Sequence, residues 1–164
     1  MNLRIEQIRN DHSEAVINII LPIQTMEFNI PITLQDQPDL LDIENWYFKN
    51  GGGFWGAKID DELVGTIALI KFDHDSAAIR KMFVKKEFRG KELGIAQKLL
   101  EELSAFSKEN GISKIYLGTR DVLQAAIRFY ERNGFSKIDI NELPAKFPRV
   151  KVDTTFFQTD LRKR

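Results

Sequence analysis

Small residues and cations meet in Arg89-Gly90-Lys91-Glu92-Leu93-Gly94-Ile95-Ala96-Gln97, where a helical pattern of apolar residues begins. A helix start presents backbone N–H groups without intrahelical acceptors and a partial positive charge, and Gly94 and Ala96 allow close approach to that backbone. Arg89 and Lys91 add mobile cations, so the segment suits a pyrophosphate. It is neither the Gly-x-x-x-x-Gly-Lys-Ser/Thr phosphate loop nor the Gly-x-Gly-x-x-Gly dinucleotide fingerprint, which withdraws support from nucleotide hydrolysis and Rossmann redox chemistry. A second segment, Ala125-Ala126-Ile127-Arg128-Phe129-Tyr130-Glu131-Arg132-Asn133-Gly134-Phe135, closes the following strand-helix unit. Other chemistries are poorly supplied. The chain has no cysteine and only two histidines, His12 and His74. Thiol nucleophiles, disulfides and thiolate metal sites are thereby removed, and neither a multi-histidine metal site nor a histidine triad is supported. Both histidines read as surface or turn residues, and no metal is implied.

The elements that must position these segments follow from periodicity. With 164 residues, 43% of them hydrophobic, and 24 basic against 24 acidic side chains, the chain reads as one globular domain, 1–164, with a single core. Leu3, Ile5 and Ile8 suggest an opening strand. Asp11, His12 and Ser13 offer N-cap chemistry before Ala15, Val16, Ile19 and Ile20, a helix that Pro22 should stop or kink. Pro31 to Pro38 is turn-like, and Asp39 to Phe48 reads as a second helix ended by Gly51, Gly52 and Gly53. Phe54 to Ile59, Leu63 to Phe72 and Ala77 to Val84 form an antiparallel meander with turns at Asp60-Asp61 and His74-Asp75. Leu93, Ala96, Leu99, Leu100, Leu103 and Phe106 recur at helical spacing up to Asn110-Gly111. Ile112 to Thr119 reads as a buried strand, Val122 to Asn133 as a helix, Phe135 to Ile140 as a strand, and Val152 to Leu161 as the last strand after a loop with Pro144 and Pro148. The strand-helix-strand unit should be parallel. The Met1 to Asn10 segment lacks the layout of a signal peptide, and no apolar run approaches the roughly 18 residues of a membrane span. A cytoplasmic protein, without a membrane, is expected.

The two segments, in this order, resemble the acetyl-CoA-binding core of the GNAT N-acetyltransferase superfamily. Its signature is Gln/Arg-x-x-Gly-x-Gly/Ala, which Lys91-x-x-Gly94-x-Ala96 fits with Lys in the first place. Phe129-Tyr130-Glu131-x-x-Gly134-Phe135 is similar to the second motif, and the order of elements agrees along nearly the whole chain. The resemblance implies an α/β (α+β) fold. Its mixed, mostly antiparallel central sheet would splay after strand 4, with about four helices flanking it. Met82, Phe83 and Val84 would then bind the pantetheine arm of acetyl-CoA through main chain, as an added strand would. The amides of Arg89, Gly90, Lys91, Glu92, Leu93, Gly94, Ile95, Ala96 and Gln97 would take the pyrophosphate, and exposed basic side chains the 3'-phosphate. The reaction implied is direct acyl transfer to an amine. An alkylamine has a pKa of about 10.4 in water, so a proton must leave it, and the CoA thiolate needs stabilisation. Tyr130, at the family's tyrosine position, is the candidate donor to that thiolate, and a main-chain N–H near Phe83 or Val84 would meet the oxyanion.

The chain also departs from the family pattern. Where many members place a Glu inside the fourth strand, it has Ala77-Ala78, and the frequent Asn before the tyrosine is replaced by Leu123. The base is left to Glu27, another carboxylate of the first third, or a water chain. The acceptor site of the superfamily would fall on about Pro22 to Phe54 and Leu143 to Phe157. Phe28, Trp46, Tyr47, Phe48, Phe54 and Trp55 either line an amine pocket there or fill the core; Glu27, Phe28 and Trp46 are taken as substrate-binding. Glu27, Asp36, Asp39, Asp42 and Glu44 lean acidic, which suits a cationic acceptor such as a polyamine, an aminoglycoside or a lysine side chain, and equally suits a solvated helix face. Lys85-Lys86 and the Arg162-Lys163-Arg164 tail read as solvated charge, not a nucleic-acid surface. The last strand, with Phe156-Phe157, fits either a homodimer paired across a two-fold axis or an internal position. A non-catalytic CoA-binding regulatory module is the alternative to the enzyme, kept open by the missing strand-four Glu.

Overall fold

The segments with strand periodicity join into one seven-stranded sheet in the computed structural model, which describes residues 2–163. Met1 and Arg164, the two ends of the terminal segments discussed above, lie outside the described residues. The strands are β1 Leu3–Gln7, β2 Gly53–Ile59, β3 Glu62–Asp73, β4 Ser76–Val84, β5 Lys114–Thr119, β6 Ser136–Ile138 and β7 Thr155–Asp160. Their order across the sheet is β1-β2-β3-β4-β5-β7-β6. All pairs are antiparallel except β4 with β5. Those two are joined by the long helix α2, Ile95–Glu109, the parallel crossover that the sequence pattern predicts. The other α-helices are α1, Ser13–Pro22, and α3, Gln124–Arg132. Among the described residues no helix is long and apolar enough to cross a membrane.

Three of the expected features take a specific form. The α-helix ends at Pro22, as expected, and the chain runs on from it as a π-helical turn, Ile23–Glu27, in which Phe28 N–H donates to the Ile23 carbonyl at 3.2 Å. A proline at the end of α1 lacks only its own N–H, and the wider turn absorbs the mismatch. The predicted second helix splits into a 3-10 turn, Pro38–Leu41, and a second π-helical turn, Glu44–Phe48. Finally, β7 is internal: β5 pairs along one edge, and β6 takes the other over Phe156–Gln158. Pairing of this strand across a two-fold axis is therefore blocked by the chain's own backbone.

Both faces of the central strands are covered, which explains their nearly unbroken apolar runs. On one face Trp55, Ile67, Leu69 and Ile79 pack with Ile95, Leu99 and Leu103 of α2 and with Tyr130 and Phe135. On the other, Phe54, Leu63 and Ala68 meet Val16, Ile19 and Ile20 of α1 together with Leu40, Ile43 and Tyr47. A smaller cluster of Tyr116, Ile138, Phe147 and Phe156 closes the β5–β7–β6 end.

Candidate functional site

Parallel pairing of β4 with β5 runs from Ser76–Lys114 to Ile79–Leu117 and goes no further. Beyond Ile79, β4 stays paired with β3 up to Val84, so the edge that faced β5 is left without a strand partner. A register shift occurs at this point: Ala68 is opposite Arg80, while Thr66 is opposite Phe83. The extra residue is accommodated by Lys81 at φ 55°, a left-handed conformation that costs a non-glycine residue about 1–2 kcal/mol. Its carbonyl is held by the buried Thr66 hydroxyl at 2.7 Å. The bulge breaks the side-chain alternation, and Arg80, Lys81, Met82 and Phe83 all border the cleft that opens between the strands.

That cleft has a volume of about 120 Å³. Gly118, Thr119 and Arg120 of the β5 end form its second wall, Tyr130 of α3 reaches it from below, Phe147 to Asp153 close one side, and Gln24, Ile30 and Ile32 the other. Tyr130 is 4% exposed and stacks edge-on against Phe129 and Phe135, with ring centroids 5.6 and 5.5 Å away. Its hydroxyl makes no hydrogen bond with any described side chain or carbonyl. Burial, reinforced by the charge of Asp153, pushes its pKa well above the ordinary phenol value. The hydroxyl is thus held protonated: a donor, not a base.

Two sets of charges line the cleft. Lys81 Nζ donates to Gln37 Oε1 at 2.6 Å and stands 3.5 Å from Asp39 Oδ2, which also accepts from the Tyr47 hydroxyl at 2.6 Å. Gln37 and Gln24 exchange side-chain hydrogen bonds at 2.9 and 3.1 Å behind it. Burial lowers the Lys81 pKa to about 8 against the opposing pull of Asp39. The second set has no such partners. Arg80 makes no side-chain hydrogen bond or ion pair among the described residues, and neither does the Asp153 carboxylate. Arg120 gives one bond, from Nη1 to the Val152 carbonyl at 2.9 Å, and its buried Nε has no acceptor. Burial raises Asp153 to about 6, with Arg80, Lys81 and Arg120 pulling its pKa down. Gly118 makes room for this carboxylate: a Cβ there would lie 2.5 Å from Asp153 Oδ2.

The helix-start segment lies just past β4. Gly94 caps α2 at φ 61°, and Gly90 has φ 119°. A Cβ on Gly90 would meet nothing within 4 Å, and one on Gly94 only the Lys91 carbonyl at 3.8 Å, so the space over this backbone is open. Lys91, Glu92 and Gly90 are exposed, and Ile95 anchors the helix in the core. Arg89, expected as a free phosphate cation, is engaged: its guanidinium makes a fork with Glu27 at 2.6 and 2.8 Å, and Nε donates to the Val84 carbonyl at 2.8 Å. Its charge is largely answered by the Glu27 carboxylate, which the guanidinium holds below the usual range.

Among the residues expected to bind substrate, Glu27 is therefore tied to Arg89, Phe28 packs against the α1 cluster, and Trp46 is 41% exposed. None of the three borders the cleft, because the π-helical turn directs Gln24, Ile30 and Ile32 into it instead. Tyr47, Phe54 and Trp55 are core residues. The acidic lean is likewise consumed internally. Asp39 serves Tyr47 and Lys81, Asp36 bonds Thr33, and Asp42 and Glu44 bond Asn10 and Asn45. Sequence reasoning passed over Arg80, Lys81, Arg120 and Asp153. A signal existed for the first two: adjacent charges inside a strand buried on both faces are improbable unless they line a cavity.

Residues 17–135 match the profile of the Acetyltransferase (GNAT) family. The chain is similar to a crystal structure of an acetyltransferase of the GNAT family from Staphylococcus aureus Mu50, with a TM-score of 0.94, 42% identity, and 98% of this chain and 99% of that one covered. It is 36% identical over 125 residues to N-acetylaspartate synthetase of Danio rerio, covering 73% of this chain and 43% of the relative. It is 32% identical over 110 residues to a probable N-acetyltransferase, camello, of Xenopus tropicalis, covering 65% and 49% respectively. The chain thus spans less than half the length of these two curated relatives.

Proposed function

The chain belongs to the GNAT acetyltransferase family, and from that premise we propose that it transfers the acetyl group of acetyl-CoA directly to a primary amine of a small molecule or peptide. The observation that carries the reading is the opened β4 edge beside a largely buried tyrosine that lines the cleft and whose hydroxyl has no hydrogen-bond partner among the described residues. An extended pantetheine arm needs a strand edge without a neighbour, and past Ile79 the stretch of β4 through Met82, Phe83 and Val84 has none on the β5 side. The open backbone from Gly90 to Gln97, at the start of a 15-residue helix, fits a pyrophosphate. Lys91, exposed and not tied down as Arg89 is, is the cation there. The names of both curated relatives, N-acetylaspartate synthetase and N-acetyltransferase, support nitrogen as the acceptor atom.

Acetyl-CoA supplies a thioester, an acyl group already activated for attack. The protein's part is positioning and charge control. Tyr130, kept protonated by burial, donates toward the sulfur as negative charge develops on it. A β4 amide near Phe83 or Val84 faces the oxygen that gains charge, at no reorganisation cost. The carboxylates behind the polyamine expectation have partners within the protein: Asp39 with Tyr47, Glu27 with Arg89, Asp36 with Thr33 and Asp42 with Asn45. The test is acetyl-CoA binding by calorimetry together with thiol release in the presence of amines. Tyr130→Phe should lower kcat about 10²-fold or more while acetyl-CoA affinity changes less than threefold. Unaltered turnover would remove Tyr130 from the reaction; binding without turnover of any amine would favour the regulatory module.

A further inference from the structure

The cleft holds charges of both signs that act on one another at a distance without direct contact. Arg80 has no polar partner, Arg120 Nε is buried without an acceptor, and Asp153 has no donor among the described residues, yet no ion pair joins them. Charges withdrawn from water are ordinarily paired. The contrast with Lys81 is direct: in the same wall, it has both Gln37 and Asp39. The cleft therefore has an internally completed cation and, beside it, an incomplete arrangement of two guanidinium groups and one carboxylate. The missing counterpart must carry a carboxylate for the arginines and a cationic nitrogen for Asp153.

We propose that the acceptor is a primary amine that itself carries a carboxylate, an amino acid in its zwitterionic form, with its carboxylate on Arg80 and Arg120 and its ammonium group on Asp153. This rests on the acetyl-transfer reading above and names the substrate class of that site. A planar guanidinium recognises a carboxylate through two parallel N–H donors, which a lysine cannot reproduce. A polyamine would meet two guanidinium groups of its own sign and is rejected by the same wall.

Asp153 then has a chemical task as well. An ammonium nitrogen has no lone pair to attack with. In the transfer a C–N bond forms and the thioester C–S bond breaks. The ammonium loses two protons overall: one passes to the Asp153 carboxylate and from there to water, the other to the departing thiolate, which leaves as CoA thiol. A carboxyl titrating near neutrality is suited to hold the first proton and release it each cycle.

The experiment uses matched acceptors: L-aspartate, L-glutamate, glycine and alanine, each against its C-terminal amide, with putrescine and spermidine as cationic comparators. Acetyl-CoA binding is followed in parallel by calorimetry. At least one amino acid should be turned over, and amidation should lower its kcat/KM at least tenfold. Arg80→Met should raise KM for that acceptor tenfold or more with acetyl-CoA affinity unchanged, and Arg80→Lys should restore only part of it. Circular dichroism of each variant separates misfolding from lost recognition. Cofactor binding with a polyamine, or an amide, as the preferred acceptor overturns the proposal and leaves the acetyl-transfer reading intact. Binding with no turnover of any amino acid also overturns it. Failure to bind acetyl-CoA overturns both.

Discussion

Replacing Asp153 by Asn tests whether this carboxylate is held in the cleft against the interest of the fold. Burial raises its pKa from the ordinary 3.8 to about 6, while the cations around it, Arg80, Lys81 and Arg120, act to lower it; Tyr130 is the remaining titratable group at the cleft. A folded-state pKa above the unfolded one means that the native protein binds more protons between about pH 4 and 6. The unfolding free energy must then fall as pH rises through that window, and the full penalty is present above it. At about 1.4 kcal/mol per unit, the shift corresponds to at most about 3 kcal/mol. Asn keeps the shape and removes the charge. Asp153→Asn should be more stable than the parent by about 1–3 kcal/mol at pH 7.5, and that advantage should vanish below about pH 4. Urea unfolding at a series of pH values, with an unchanged dependence on denaturant, measures this directly. A difference that is the same at every pH, or a variant less stable than the parent at pH 7.5, would refute the reasoning. In turnover the same substitution should remove the rise of kcat/KM with pH near 6 that ionisation of Asp153 gives the parent protein.

Gly94→Glu should abolish acetyl-CoA binding in calorimetry. It sets a carboxylate over the open helix start and forces a side chain onto φ 61°, and retention of full affinity would remove that loop from the cofactor site. Tyr47→Phe deletes the hydroxyl that donates to Asp39 at 2.6 Å in a fully buried setting. A hydrogen bond to a charged group contributes about 1.5–3 kcal/mol, so the urea midpoint should fall accordingly; an unchanged midpoint would show that Lys81 alone satisfies Asp39.

How much of this was legible in the sequence depends on whether the governing interaction was local. The meander, the parallel crossover and the Gly94 helix start follow from periodicity and from glycine's conformational freedom, and all three are present. A motif singled out Tyr130, which packs in the same apolar cluster as Ile79 of β4 and Leu117 of β5 and borders the cleft. The partners of Glu27 and of the cleft cations leave no trace in the sequence pattern because they join positions distant in the chain. Glu27 meets Arg89 across 62 positions and Lys81 meets Gln37 across 44, and neither pairing leaves a periodic trace. Counting acidic residues between Gln24 and Trp46 measured charge without measuring what that charge touches.

The bulge at Lys81 ties these levels together. An undistorted strand would send Arg80 and Lys81 to opposite faces, and both faces of β4 lie against apolar layers. One charge would then enter a core with nothing to pair with. The extra residue instead turns Lys81 at φ 55° toward Asp39 and Gln37 and brings Arg80 to the cleft as well. The strain is small beside the desolvation that it avoids, and Thr66 holds it in place through the Lys81 carbonyl. The same distortion coincides with the end of β5 pairing, where one edge of β4 is left without a strand partner. A single inserted residue thus sits where the sheet opens, seats one cation in a completed network and leaves another lining the cleft. Deleting Met82 to restore alternation should close the cleft and lose both ligands at once, whereas a substitution at Arg80 loses only one.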